Sequence, residues 1–82
     1  MTAKQLERIV NHKPFQPYRL VTVDGDEVTV TQPRKSHVSG DSVALHGKTV
    51  QSSGASREGL RLILAKNIVR AEFVEESVER KG

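Results

Sequence analysis

Short runs of alternating apolar and polar residues, broken by Pro, Gly and Asp, dominate this chain, and most have the period of a β-strand. The most regular lies between Pro14 and Pro33, where Tyr18 to Val23 and Val28 to Thr31 flank Asp24-Gly25, a dipeptide suited to hairpin turns because Gly takes positive φ. Two registers are available. A three-residue loop, Val23-Asp24-Gly25, sets Leu20 opposite Val28 and Tyr18 opposite Val30, with Thr22 and Asp26 ending that face and Arg19, Val21, Glu27 and Thr29 on the other. A two-residue loop pairs Val21 with Val28 and Leu20 with Thr29, mixing polar and apolar on both faces, so the first register is preferred. The flanking prolines limit the hairpin because they cannot donate to a ladder. Phe15, between Pro14 and Pro17, is expected to be a buried anchor; two prolines are too few to impose a polyproline recognition motif.

One segment has the helical period instead. Thr2 and Gln5 match a capping box, and Leu6, Ile9 and Val10 follow at i, i+3 and i+4, predicting a helix from about Ala3 to Asn11 that is too short to stand without packing on the sheet. After Pro33, Ser36 to Ser39 predicts a short strand, Gly40-Asp41 a turn, and Ser42 to His46 a full strand with Val43 and Leu45 inward. Gly47 to Gly59 (GKTVQSSGASREG) is rich in Gly and Ser and reads as a mobile loop, in which Lys48 to Gln51 could extend a ribbon. A loop of that length in so small a domain is either disordered or functional.

Leu60 to Ala65 is the most apolar run and a central-strand candidate. With Leu60, Leu62 and Leu64 as its inward set, Leu62→Ala is expected to cost about 2–5 kcal/mol. A tight or 3₁₀ turn at Ala65 to Ile68 leads into Ile68 to Val74, with Val69, Ala71 and Phe73 on one face. The inner lining is therefore expected to include Leu20, Val28, Leu62 and Phe73. The order of elements predicts a mainly β fold: a small antiparallel barrel or curled sheet of five to six strands with one short N-terminal helix. It forms a single domain over residues 1–74, followed by a charged, flexible tail over 75–82.

Composition narrows this reading only a little. Eighty-two residues make one domain near the lower size limit for a core without staples. With no cysteine, disulfides and thiolate metal sites are excluded and the redox compartment is left open. The longest apolar run is too short to cross a bilayer and Met1 to Val10 has no signal-like apolar stretch, so a cytoplasmic location is expected. The net charge of +3 permits nucleic-acid binding. Its 13 basic and 10 acidic residues are well mixed, so any basic patch must be made by folding.

A helix followed by five or six short strands, with a 3₁₀ turn before the last, resembles the small barrels of the SH3-like and Sm-like kind. The bacterial RNA chaperone of the Sm-like class also opens with a helix, enters a strand with a turn like Asp24-Gly25, and closes with a strand after a turn like Lys66-Asn67-Ile68-Val69. Its Gln-rich RNA contacts and Tyr-Lys-His signature have no counterpart, so the resemblance brings no RNA site. Most of residues 4–74 resembles a group of short uncharacterised bacterial proteins with a helix, then a PFxPFR-like segment (Pro14-Phe15-Gln16-Pro17-Tyr18-Arg19), a DG hairpin (Asp24-Gly25), a Val-x-x-Pro (Val30 to Pro33) and a terminal strand (Ile68-Val69-Arg70-Ala71-Glu72). Ala71 is smaller than the Ile usual there. This resemblance implies a fold and carries no activity.

Catalytic constellations are thin. His12, His37 and His46 lack metal-ligand spacing, although His37 and His46 flank the Gly40-Asp41 turn. Ser36, His37 and Asp41 have no nucleophile elbow around them, Asp24, Asp26 and Glu27 cluster at a hairpin tip, and Gly54 and Gly59 belong to no phosphate-binding motif. No enzymatic activity, cofactor or metal is expected. The favoured function is a binding module that engages a protein partner, or a further copy of itself, through a strand edge or the 47–59 loop. The alternative is a sequence-tolerant RNA or DNA binder using Arg19, Arg34, Lys35, Lys66 and Arg70. Against it, Phe15, Tyr18 and Phe73 are all needed by the core and leave no stacking platform.

Overall fold

The computed structural model describes residues 1–74. The segment 75–82, expected to be a flexible tail, lies outside the described residues. A short helix, α1 (Ala3–Val10), precedes six strands: β1 (Tyr18–Thr22), β2 (Glu27–Val30), β3 (Ser36–Ser39), β4 (Ser42–Val50), β5 (Ser56–Leu64) and β6 (Ile68–Phe73), with a 3₁₀ turn at Ala65–Asn67 before the last. All pairings are antiparallel, and the sheet curls into a half-barrel in the order β3-β4-β2-β1-β6, with β5 along the other side of β4. Among the described residues no helix is long and apolar enough to cross a membrane.

The β1–β2 hairpin adopts the three-residue loop. Tyr18 pairs with Val30 and Leu20 with Val28, all four side chains fully buried. Thr22 and Asp26 close the ladder through Thr22 N–H donating to the Asp26 carbonyl (3.0 Å), and Gly25 sits at φ 89°, a conformation that any Cβ would strain. The helix also forms as its sequence dictates. Thr2 accepts from the Gln5 amide while the Gln5 side chain accepts from the Thr2 amide, and Leu6 and Val10 point into the sheet. α1 packs on β3, β6 and the 3₁₀ turn, closing one mouth of the half-barrel. Phe15 is half-buried, edge-on to Tyr18 at 6.3 Å between ring centroids.

The long strand β4 shapes the curl. One side pairs with β5 along its whole length; the other pairs first with β3 and then, beyond Gly47, with β2. At the changeover the β4 backbone passes so near β2 that a Cβ on residue 47 would overlap the Thr29 carbonyl, so only Gly fits.

Four expectations are corrected. The 47–59 segment is no loop: β4 runs on to Val50 and β5 begins at Ser56, leaving only Gln51–Ala55 as the turn of a long ribbon. Leu62 does not line the core. It is 71% exposed, with Leu60 and Leu64 on the same outer side, while Ile63 is buried instead. Phe73 shares the core face with Tyr18, its partner, but lies at the end of the sheet, 42% exposed and tilted against His12 at 4.9 Å. Val69 is exposed too, because the β1–β6 register shifts between Val21 and Thr22. That shift brings Ile68, and not Val69, opposite Thr22 and into the core.

Candidate binding edge and its leucine stripe

The direction of every side chain on β5 follows from its pairing with β4. Val43 and Leu45 are fully enclosed, so their partners Ile63 and Arg61 must share the inner face. Ile63 joins the core there. Arg61 sits at the rim, where its guanidinium meets the Asp26 carboxylate at 3.3 Å, which lets a charged side chain occupy an inward position. Leu60, Leu62 and Leu64 are left for the outer face, opposite His46, Ala44 and Ser42. Ala44 and Ser42 are too small to cover them, and Leu60 is 77% exposed.

The main chain of β5 carries a second consequence of the same parity. In an antiparallel ladder, successive residues turn their N–H and C=O groups to alternate sides. The Ala65 amide donates to the Asp41 carbonyl and the Gln51 amide to the Ala55 carbonyl, both at 2.7 Å, which assigns the odd-numbered residues of β5 to the β4 side. Glu58, Leu60 and Leu62, and Leu64 through its amide, therefore direct their backbone groups to the far edge, where no strand pairs among the described residues; the Leu64 carbonyl is taken up by the 3₁₀ turn that it caps. The leucines that expose their side chains also expose their main chain.

The outer face of β2, β1 and β6 has the opposite character. Arg19 donates from Nε to Glu72 Oε2 at 2.9 Å, and a second bond from Nη2 reaches the same oxygen; Glu27 lies 3.9 Å from Arg19, and Arg70 lies 3.6 Å from Glu72. The hydrogen bond from Arg19 holds the Glu72 carboxyl below the usual carboxylate range and raises the guanidinium above its ordinary value. Deeper in the fold, burial pushes the Tyr18 phenol up, partly offset by its hydrogen bond with the Ser36 hydroxyl.

Of the five basic residues considered for nucleic acid, Arg19 and Lys35 line one cleft of about 520 Å³ together with Lys48 and His46, but Glu27 and Glu58 line it as well. Arg34 is exposed in the turn before Lys35, Arg70 is paired with Glu72, and Lys66 lies at a separate depression beside the start of α1. The fold thus gathers Arg19 with Lys35 in the cleft and with Arg70 around Glu72, and interleaves all three with acids. His37 and His46 are exposed, and no group of three or more His, Asp or Glu suited to a metal ion occurs among the described residues. Ser36 and His37 are neighbours on β3 and point to opposite faces, Ser36 toward Tyr18.

No family model, curated protein or solved structure matches this chain. Its functional reading rests on geometry alone, and β5 is where that geometry departs furthest from an ordinary solvated surface. The sequence pattern did not single out the leucine stripe as a surface feature, since three alternating leucines read as core. The one signal available was the strand before it, where Val43 and Leu45 alternate with small or polar residues and so prescribe which residues of a partner strand turn inward.

Proposed function

We propose that this protein is a non-catalytic binding module that accepts an extended protein segment as an added strand along the free edge of β5. One observation carries the reading: unpaired backbone groups and exposed leucine side chains coincide at Leu60 and Leu62, with the Leu64 amide and side chain beside them. An added strand satisfies the first through main-chain hydrogen bonds and covers the second, the two contributions on which strand-addition sites rely.

The experiment is a titration of the ¹⁵N-labelled protein with a short extended peptide of alternating Thr and Val with lysine ends. With the protein at a concentration where it is monomeric, amide shifts concentrated at Glu58, Leu60, Leu62 and Leu64 support the reading, and their absence there removes it. A parallel titration with single-stranded RNA examines the alternative. Shifts around Arg19, Lys35 and Lys48 that fade steeply with added salt would move the function to the polar cleft.

A further inference from the structure

We infer that the strand added to β5 is β5 of a second copy of this chain, in a two-fold symmetric antiparallel pairing centred on Leu62. The inference rests on the strand-addition reading above and names its partner. A two-fold axis through an antiparallel edge places residue 62+k of one copy opposite residue 62−k of the other, a self-complementary contact of the kind that closes a dimer. In this register Leu62 meets Leu62, and Leu60 meets Leu64 on both sides of the axis, so each exposed leucine gains another as its cross-strand neighbour on the same face. These residues already turn their main chain to the free edge, so Leu62 pairs with Leu62 as a hydrogen-bonded pair that exchanges both N–H···O=C bonds.

Charge within the contact is compatible with the register. Over the strand overlap, residues 60–64, the one charged side chain is Arg61, which is turned inward and held by Asp26, so no like charges meet on the leucine face. Pairing in the parallel sense, or one residue out of step, loses the leucine overlap or inverts one strand's faces. The two sheets would become one continuous sheet through the dimer.

Because residue 62 faces itself, the test is a charge-swap mixture. Leu62→Glu and Leu62→Lys are made in the full chain, and far-UV circular dichroism checks that each is folded, as expected for an exposed position. Sedimentation equilibrium should show the wild type passing from 9.1 kDa to twice that mass as concentration rises. Each variant alone should remain monomeric, and an equimolar mixture at low salt should recover the dimer mass. A wild type that stays monomeric, a trimer or larger ring, or a mixture that fails to recover the dimer overturns the inference. A monomeric wild type whose β5 amides still shift with the Thr-Val peptide overturns the second copy alone; one whose amides do not shift removes the strand-addition reading too.

Discussion

Ile63 lies opposite Val43 across the β4–β5 ladder, and the parity of that single pairing decides which side of β5 is kept dry. Val43 is enclosed by the core, so Ile63 is enclosed with it. The three leucines that alternate with Ile63 are turned to solvent although they outnumber it.

Ile63→Ala is accordingly expected to destabilise the protein by about 2–4 kcal/mol, as a truncation that leaves a cavity. Leu62→Ala should change monomer stability by less than about 0.5 kcal/mol, since its side chain is already in water. Urea midpoints measured at low protein concentration compare the two. A larger loss for Leu62 than for Ile63 would mean that the register of β5 is out by one.

Gly47 is the second sensitive position. Gly47→Ala drives a Cβ into the Thr29 carbonyl, a backbone atom that cannot rotate away, and should cost about 3 kcal/mol, the upper end of overpacking penalties. Hydrogen exchange should localise the damage, with protection lost first at Lys48–Val50 and their β2 partners. Ser53→Ala, in the exposed turn of the ribbon, serves as the neutral comparison.

Tyr18 is the only tyrosine and the chain has no tryptophan, so tyrosinate absorbance reports this residue alone. Burial keeps its phenol neutral to higher pH than the free side chain, and the folded protein should titrate above about 10, returning to that ordinary value in urea. Because the folded value is raised, the stability this group contributes is fully present below about pH 10 and is lost as pH rises through the folded value. Ser36→Ala removes the hydrogen bond that pulls the other way, and should move the titration further up. A midpoint at the ordinary value in the native protein would contradict the enclosed position of the ring.

Asp26 and Arg61 join the tip of the first hairpin to β5, with the Asp26 side chain only 16% exposed. Their coupling in a double-mutant cycle with Asp26→Asn and Arg61→Met should be about 1–2 kcal/mol, between the values for exposed and buried pairs. Zero coupling would show that Arg61 reaches its inward position without Asp26.

Local rules were enough to read several elements from the chain. The capping box at Thr2 and Gln5 specifies the helix start, Asp24-Gly25 with its flanking alternation specifies the hairpin and its register, and Val43 and Leu45 reveal the inner face of β4. In each case the deciding interaction lies within a few residues, or one of the two possible faces is plainly more apolar. The mainly β half-barrel with its short helix follows from stringing these elements together.

Tertiary structure alone decided the rest, because the outcome depended on residues far apart in sequence. The local pattern between Leu60 and Leu64 points the wrong way, since three leucines are a more apolar set than Arg61 and Ile63; the β4 register turned Ile63 in and left the leucines outside. The Gly- and Ser-rich 47–59 stretch has little strand propensity, and it is held as a ribbon by its ladder, with β2 on its other side. Likewise the register shift opposite Val21 and Thr22, set by pairing across the whole length of the chain, turned Ile68 in and Val69 out. Sequence periodicity marks where strands are; the partner strand fixes which way each one faces, and that choice exposed the edge on β5.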